Sequence, residues 1–162
     1  MSDVFSKEKR AEVMSRIRSR GNKKTEIALM ELLRQHRVTG WRRHRKIPIG
    51  VLASAKSSAR RSYVRPDFVF PTLKLAVFVD GCFWHSCPKH SVSPASNAGF
   101  WAEKFDYNRR RDQLVTRLLR KQGWVVVRVW EHDLPSARVV SRLKRAVIKC
   151  KQVNGLLLID SE

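Results

Sequence analysis

Acidic residues are scarce in this chain: its 162 residues include 14 Asp and Glu against 34 Lys and Arg, which gives a formal net charge of +20. The basic residues are spread along the whole chain instead of forming one tail. A field of this sign attracts polyanions and steers encounter with nucleic acid of any sequence. The charge alone suits a ribosome-associated or DNA-coating protein as well as an enzyme.

Long apolar runs are also lacking. No stretch approaches the roughly 20 apolar residues that a bilayer-spanning helix needs, and the N-terminal MSDVFSKEKR has no apolar signal-peptide core. We therefore expect a cytoplasmic protein that is nucleoid-associated when bound to DNA, with no membrane partner. The length and the 43% content of hydrophobic residues fit a single domain, residues 1–162, with a modest core.

Cysteines number only three, and in a reducing compartment they are poor disulfide candidates. Cys150 lies in an apolar stripe at helical spacing near the C-terminus, so we expect it in the core. Cys82 and Cys87 are close to each other and to histidines, which favours metal binding.

The periodicity of the apolar residues predicts an α/β fold with a mixed central sheet flanked by helices. Two β-branched and aromatic runs, 67–70 and 74–80, are separated by a short turn that suits an antiparallel hairpin. The run 124–130 follows a helical segment at 100–122, and such a crossover makes strands 74–80 and 124–130 parallel. The other predictions are a helix at 6–19 within a basic arm at 1–21, helices at 23–36 and from residue 135, an edge strand at 41–47, a mobile basic loop at 50–64, and a short strand or ordered arm at 151–162.

Four soft or borderline metal ligands converge in this topology. Cys82, Cys87 and His90 lie within nine residues, and His132 follows the strand that runs parallel to the one before Cys82. Because parallel strands end at the same sheet edge, the four can form a tetrahedral Cys₂His₂ zinc site. Four protein ligands leave no position for water, so such a zinc is structural. The alternative is that the cysteines are small buried residues and the histidines lie at the surface.

Two carboxylates are expected to approach each other at the hairpin. Asp67 follows Pro66 at the start of one strand, and Asp80 ends the other. At about 3.3 Å per residue they lie within roughly 10 Å, close enough to share or flank a divalent cation, and their hard oxygens suit magnesium. This layout resembles the PD-(D/E)xK nucleases, but Cys82 stands where those have a lysine. His85 is then the candidate for accepting the proton of an attacking water, the alternatives being a turn-capping Asp67 and a His85 that is a spare zinc ligand.

Four sequence blocks carry a resemblance to one family. They are RPDFVF at 65–70, FVDGCFWHSCPKH at 78–90, NRRRD at 108–112 and GWVVVRVWEH at 123–132. In this order they resemble the very short patch repair endonucleases, over most of the chain from about residue 14 to residue 134. The resemblance implies a restriction-endonuclease-like fold of the PD-(D/E)xK superfamily with a structural zinc site.

The resemblance also implies roles for individual residues. Asp67 would bind magnesium through its carboxylate and Val79 through its main-chain carbonyl, while His85 would activate water. Glu26 and Asp112 would order the metal-bound waters. The zinc ligands would be Cys82, Cys87, His90 and His132.

Residues in the same blocks are expected to contact DNA. By the resemblance, Phe83, Trp84 and Trp101 wedge into the base stack, where flat apolar rings replace lost stacking, and core packing is the alternative. Lys104 and Asn108, one helical turn apart, would face the same duplex.

The loop at 50–64 is longer than in the better-known members of the family. Its Lys56, Arg60 and Arg61 are expected to touch phosphate, a contact that positions DNA without reading its sequence. The flanking sequence is read by side chains that reach base edges, and the sequence leaves open which ones do.

The implied reaction is magnesium-dependent hydrolysis of one phosphodiester bond on the 5′ side of the thymine in a T:G mismatch. Such a mismatch arises when 5-methylcytosine deaminates, and the nick initiates very short patch repair. The expected partner is double-stranded DNA with a T:G mismatch, and we expect a monomer that contacts other repair proteins. Two alternatives stay open: a homing-type endonuclease that cuts unmismatched DNA, and a zinc-stabilised DNA-binding protein without catalysis.

Overall fold

Helices enclose a run of five consecutive strands in a computed structural model that describes residues 23–54, 57–90, 94, 97–134, 136–153 and 155. The predicted helix at 6–19, the arm at 1–21, Lys56 and residues 156–162 lie outside the described residues, as do the side chains of Arg60 and Arg61. In chain order the elements are a π-helical turn (Lys23–Ile27), α1 (Ala28–Gln35), β1 (Arg42–Arg43), β2 (Ile47–Ser54), β3 (Ser57–Val64), β4 (Phe68–Phe70), β5 (Leu75–Asp80), α2 (Ala98–Lys121), β6 (Val125–Trp130), a 3₁₀ turn (Glu131–Asp133) and α3 (Ala137–Val153).

The central sheet is mixed and has the strand order β1-β4-β5-β6. β4 and β5 form an antiparallel hairpin with Phe68 opposite Val77, and β5 runs parallel to β6 with Asp80 opposite Trp130. Both pairings confirm the predictions from sequence. Because β5 and β6 are parallel, the segments that follow them leave the sheet at the same edge.

The crossover between β5 and β6 contains α2, which the sequence predicted at 100–122 and which begins two residues earlier. Its end is marked by Gly123 at φ +80°, a left-handed conformation that glycine adopts with little strain. Arg120 and Lys121 in the last turn favourably oppose the negative end of the helix dipole. Within the described part of the chain, no helix has both the length and the apolar character needed to span a bilayer.

Apolar side chains pack on both faces of the sheet, which explains why its strands are apolar almost throughout. On one face, Phe68 and Leu75 pack with α1 and α3. On the other face, Val69 and Ala76 pack with α2 and with Ile47 of β2. Cys150 is 2% exposed within the first of these layers, as predicted.

The prediction of a loop at 50–64 is wrong in its secondary structure, because β2 and β3 pair as an antiparallel hairpin across that segment. Its Ser/Ala-rich composition gave no strand signal, whereas Ile49 and Val64 are buried where the hairpin packs near α2. The predicted edge strand at 41–47 is also shorter than expected. It stops after Arg43, because His44 has φ 51°, which is not a strand conformation.

Candidate active site

A cleft of about 840 Å³ opens at the sheet edge where β5 and β6 end. Its walls come from the π-helical turn, the start of β4, the loop 81–90 after β5 and the middle of α2. The residues that the sequence predicted as catalytic or as magnesium ligands all line this cleft: Glu26, Asp67, Val79, His85 and Asp112. The structure therefore brings these residues together from distant parts of the chain.

Asp67 lies against the peptide of Val79. The Val79 N–H donates a hydrogen bond of 2.7 Å to Asp67 Oδ2, which follows from the register of the β4–β5 hairpin. Burial raises the pKa of the Asp67 carboxyl to about 6; the Val79 N–H opposes this rise, and the neighbouring Glu26 carboxylate adds to it. A carboxylate in this position has less compensation for its charge than it would have in water.

Glu26 and His44 complete a first group around Asp67, and ligand atoms from the three residues lie within 4.8 Å of one another. Glu26 is 3% exposed, and its Oε2 is 2.8 Å from His44 Nε2 and 2.7 Å from Arg43 Nη2. The backbone N–H of His44 donates to the Asp67 carbonyl at 3.3 Å, which places the histidine at this site. His44 was missed from sequence, where it read as an ordinary polar residue of an edge strand.

A second group lies a short way along the same cleft and consists of Asp80, His85 and Asp112. His85 Nδ1 is 2.5 Å from Asp112 Oδ2 and 3.8 Å from Asp80 Oδ1. Asp112 comes from the middle of α2, and a backbone hydrogen bond from His85 N–H to the Gly81 carbonyl turns the loop toward it. The helix and the loop together orient the imidazole.

Arg128 binds the carboxylates of this second group. Its Nε and Nη2 donate to Asp80 at 2.8 and 2.5 Å, and Nη2 is also 3.0 Å from Asp112 Oδ1. Burial alone would raise the pKa of Asp112, but its hydrogen bond with His85 and the charge of Arg128 outweigh burial and lower that pKa. Arg128 was missed from sequence, although a single charge inside the apolar run 124–130 was a signal for it.

Asp80 and Asp67 do not fall in one ligand group, and their sharing or flanking of one cation stays a prediction. Both line the cleft, but the two groups of ligand atoms found in the described residues separate them. The physical reason is Arg128, whose fork holds both oxygens of Asp80 and directs that carboxylate toward His85.

Cys82, Cys87, His90 and His132 lie together as predicted, with their ligand atoms within 4.8 Å of one another. Cys82 Sγ is 3.1 Å from His132 Nδ1 and 4.0 Å from His90 Nδ1, and Cys87 Sγ is 3.7 Å from each of these nitrogens. Burial, followed by the Cys87 thiol, raises the pKa of Cys82 to about 11. A thiolate here requires a compensating cation, so the group is compatible with a metal site.

Hydrogen bonds around this cysteine–histidine group fix its geometry. The pairing of Asp80 with Trp130 brings Cys82 and His132 to the same sheet edge. The N–H of Cys87 donates to the Cys82 carbonyl at 2.9 Å, which closes the loop. His132 Nε2 is 3.3 Å from Asp133 Oδ1, an outer carboxylate of the kind that orients metal-bound histidines.

The aromatic residues predicted to contact DNA form one cluster beside the cleft. The ring of Phe83 lies 5.1 Å from Trp84, 5.2 Å from Trp101 and 5.4 Å from Phe105, measured between centroids. Phe83 and Trp84 are half-buried and line the cleft, whereas Trp101 is 7% exposed. In this conformation the ring of Trp101 is therefore covered by its neighbours, and Phe100, which was not predicted, is 60% exposed.

Lys104 and Asn108 have different surroundings although they lie on one helix. Lys104 is exposed, and its Nζ is 5.6 Å from the centre of the Tyr107 ring. Asn108 Nδ2 donates a 2.8 Å hydrogen bond to the Trp84 carbonyl. Asn108 thus supports the loop that carries the aromatic cluster.

Several known proteins are similar in sequence to this chain. The family model for the DNA mismatch endonuclease Vsr matches residues 2–91. The type II nicking enzyme V.NaeI of Lentzea aerocolonigenes is 50% identical over 70 residues, which are 43% of this chain and 42% of that protein. The DNA mismatch endonuclease Vsr of Escherichia coli strain K12 is 42% identical over 69 residues, 41% of this chain and 44% of that protein. The type II nicking enzyme V.NmeAIP of Neisseria meningitidis serogroup A is 35% identical over 154 residues, 93% of this chain and 98% of that protein.

Proposed function

This chain belongs to the family of the DNA mismatch endonuclease Vsr and is a DNA endonuclease, and we propose that it nicks one strand on the 5′ side of the thymine in a T:G mismatch. The nick would start very short patch repair. The observation that carries the catalytic part is the His85–Asp112 pair, which lines the same cleft as the group of Glu26, His44 and Asp67. The mismatch part is supported by the family and by the aromatic rings beside the cleft.

His85 is the residue we assign to activating water. Because the pKa of Asp112 is held low, its carboxylate accepts hydrogen bonds only, so His85 Nδ1 must carry a proton and donate it. In the neutral ring, Nε2 is then the acceptor. As the oxygen of water attacks phosphorus, its proton passes to Nε2, and the phosphorus–oxygen bond to the leaving strand breaks, with the leaving oxygen taking a proton from solvent water.

Asp112 acts through His85 in this scheme. Sequence resemblance assigned it to ordering metal-bound water, but its Oδ2 contacts His85 and its Oδ1 contacts Arg128. A carboxylate with both oxygens engaged is suited to orienting the imidazole. We therefore assign Asp112 as a positioning residue.

The group around Asp67 is where we propose that magnesium binds. The Asp67 carboxylate and the Val79 main-chain carbonyl would hold the ion, and Glu26 would order its waters. Clustered carboxylate oxygens suit this hard cation, and the raised pKa of Asp67 supports the assignment because a nearby cation would stabilise the ionised form. When bound, magnesium polarises the phosphate and stabilises the negative charge that develops on it.

Arg128 supplies the fixed positive charge of the second group. Enzymes with the PD-(D/E)xK pattern carry a lysine two residues after the second acid, where this chain has Cys82. Here the charge comes from the adjacent strand instead, since Arg128 lies opposite Phe78 in the β5–β6 register. It binds Asp80 and Asp112 and so holds the orientation of His85.

We propose a structural zinc ion on Cys82, Cys87, His90 and His132. Zinc bonds of about 2.3 Å to sulfur and about 2.0 Å to nitrogen place tetrahedral S and N ligands roughly 3.5 Å apart. The distances between these sulfur and nitrogen atoms, 3.1 to 4.0 Å, bracket that value. The ion would pin the loop that presents Phe83, Trp84 and His85.

Phe83 and Trp84 are the rings we propose to enter the base stack first. They line the cleft, whereas Trp101 must be uncovered before it can touch a base. Apolar side chains inserted between base pairs partly replace the stacking that is lost there. Exposed Lys104 would contact phosphate, and Asn108 would hold Trp84 in place.

A nicking assay tests the proposal. Duplexes with one T:G mismatch, with the matched T:A pair and with the matched C:G pair are incubated with protein and magnesium. We expect a nick only in the mismatched duplex and only in the thymine strand, and its loss in Asp67→Ala. Equal nicking of all three duplexes would contradict the mismatch assignment, and full activity of Asp67→Ala would contradict the site.

A second candidate is sequence-specific nicking of unmismatched DNA. It is favoured by two of the relatives, V.NaeI and V.NmeAIP, which are type II nicking enzymes. The same assay on supercoiled plasmids separates the two: conversion to open circles at one position without any mismatch supports this candidate. Linear product instead of open circles would support a homing-type double-strand cut.

A further inference from the structure

A second groove, of about 520 Å³, lies between the β2–β3 hairpin and α2. Its floor is apolar and includes Ile49, Val64 and Leu114. Its rim carries two tyrosines and two arginines, namely Tyr63, Tyr107, Arg110 and Arg111. We call it the hairpin groove.

The two tyrosines are unusually open for large aromatic side chains. Tyr63 is 52% exposed and Tyr107 is 61% exposed, although both line the same groove. A lysine lies over each ring: Lys46 Nζ is 4.4 Å from the centre of the Tyr63 ring, and Lys104 Nζ is 5.6 Å from the centre of the Tyr107 ring. Exposed aromatic rings beside cations suit a DNA backbone, because the rings can pack against the sugars while the cations meet the phosphates.

The hairpin groove adjoins the catalytic cleft. Val64, Arg111 and Val115 line both, so the two lie side by side on the surface. Arg65, which follows β3, lines the cleft, and its Cζ lies 5.3 Å from the centre of the Tyr63 ring. A DNA strand whose phosphate is held in the cleft therefore has the groove next to it.

The face of α2 that lines the groove is complementary in charge to DNA. Tyr107, Arg110, Arg111 and Leu114 recur at the spacing of one helical face. Asp106 pairs with Arg110 at 2.7 Å and with Arg109 at 3.5 Å, but Arg110 is 80% exposed at its side chain. Such a surface pair is weak in water and leaves the guanidinium able to bind a phosphate.

We propose that the hairpin groove binds the DNA strand that flanks the scissile phosphate on one side, with phosphates on Arg110 and Arg111 and a sugar against Tyr63 and Tyr107. The proposal rests on DNA endonuclease activity and does not depend on T:G specificity. Contact extends the footprint of the enzyme on the hairpin side only. Contacts with the flank on that side therefore lower KM, whereas the opposite flank does not contact this groove.

The test compares duplexes that share one nicking site and differ in their flanks. One duplex has both flanks, two are trimmed on one side each, and one is trimmed on both. For the unaltered protein, trimming the groove-side flank is expected to raise KM about tenfold with little change in kcat. In Tyr107→Ala and Arg110→Ala this ratio falls to about one or two, and Tyr107→Phe restores it because the ring is kept.

Arg109→Ala is the matched control. It removes the same charge from the same helix and breaks the other ion pair of Asp106, but Arg109 does not line the groove. We expect it to keep the dependence of KM on the flank. Equal flank dependence in Arg110→Ala, Tyr107→Ala and Arg109→Ala would overturn the proposal, and far-UV circular dichroism checks that each variant is folded.

Failure of the proposed function is recognised separately. If the duplexes are not nicked, the same four are titrated by fluorescence anisotropy without magnesium, where the groove-side flank is expected to increase affinity about tenfold. Arg110→Ala should also lower the dependence of log K on log salt by about one, as the loss of one phosphate contact predicts. If the groove-side flank has no effect on DNA affinity in either the unaltered protein or Arg110→Ala, the groove assignment is wrong whatever the nicking result.

Discussion

Two groups of acidic side chains line the same cleft, and they differ in how their negative charge is balanced. Around Asp67, burial and the Glu26 carboxylate raise the pKa to about 6, against the lowering effect of the Val79 N–H. Around Asp112, an imidazole and a guanidinium outweigh burial and lower the pKa. Opposite shifts of like groups in one site indicate divided roles. The Asp67 group is suited to hold a cation, and the Asp112 group is suited to orient a base.

His85→Gln gives the largest expected effect, because it removes the base from the second group and leaves the first intact. We expect kcat for nicking to fall about 10³-fold, the middle of the range for loss of general base catalysis. Single-turnover nicking at saturating magnesium measures it. His36→Gln, at the C-terminal cap of α1 and away from the cleft, is the control and should retain its rate. A His85→Gln rate above a tenth of the original would show that the second group does not hold the base.

Cys87→Ser tests whether the proposed zinc site holds the second group in place, because His85 of that group lies in the loop that zinc would bind. The first group has no residue in that loop. Loss of one of four ligands weakens a structural zinc site, so we expect a lower zinc content and a melting temperature lower by roughly 10 °C. Nicking should fall with it, because the loop that carries His85 is no longer pinned. Zinc analysis and thermal melts are the measurements, with Cys150→Ser as a control that removes a buried thiol outside the group. Unchanged zinc stoichiometry in Cys87→Ser would rule out that ligand.

Arg128→Met tests whether the guanidinium is what distinguishes the second group. Asp80 and Asp112 would lose their cation, and we expect the free energy of unfolding to fall by about 2 kcal/mol, less than for a fully buried pair because the Arg128 side chain is 22% exposed. Urea unfolding at pH 7 measures this loss. Arg128→Lys should recover part of it, since lysine keeps the charge but lacks the fork that holds Asp80.

The control for Arg128→Met is Arg142→Met, on the exposed side of α3. It removes the same charge without uncovering a buried carboxylate. Similar losses of stability in the two variants would mean that Arg128 is no more than a surface charge.

The pH dependence of stability gives the smallest expected effect and concerns the first group. Because the folded-state pKa of Asp67 is raised to about 6 from an ordinary 3.8, the folded protein binds this proton more tightly than the unfolded chain. The magnesium-free protein therefore gains stability from Asp67 as pH falls from 6 toward 3.8 and loses it as pH rises through 6. Asp67→Asn removes this titrating group. The free energy of unfolding of Asp67→Asn, relative to that of the unaltered protein, should therefore be higher at pH 8 than at pH 5 by about 1 kcal/mol.

Urea unfolding at the two pH values, with and without magnesium, measures the effect. Magnesium should stabilise the unaltered protein more at pH 8 than at pH 5 and should have little effect on Asp67→Asn. Parallel pH profiles of the two proteins would contradict the raised pKa of Asp67. Equal stabilisation of both by magnesium would place the ion elsewhere.

Prediction from sequence succeeded where short-range spacing or strand order sufficed. The β4–β5 hairpin and the parallel β5–β6 pair followed from runs of apolar residues, and the gathering of Cys82 with His132 followed from that topology. It failed for the segment 50–64, because β3 is rich in Ser and Arg and has no apolar alternation, and the alternation of Ile47, Ile49 and Val51 in β2 was missed. It also missed His44, whose place beside Glu26 depends on a φ of 51° that ends β1.

The amino-acid sequence by itself determined the charge, the β4–β5 hairpin, the parallel direction of β5 and β6, the four clustered metal ligands and the presence of Asp67 and His85 at one sheet edge. These follow from composition and from local periodicity, which act over a few residues. Only the tertiary structure decided that Asp80 faces His85 instead of sharing a group with Asp67, and that Asp112 orients the imidazole. Both outcomes depend on Arg128, because the strength of a charged contact is set by distances and burial that arise only when β6, β5 and α2 pack together.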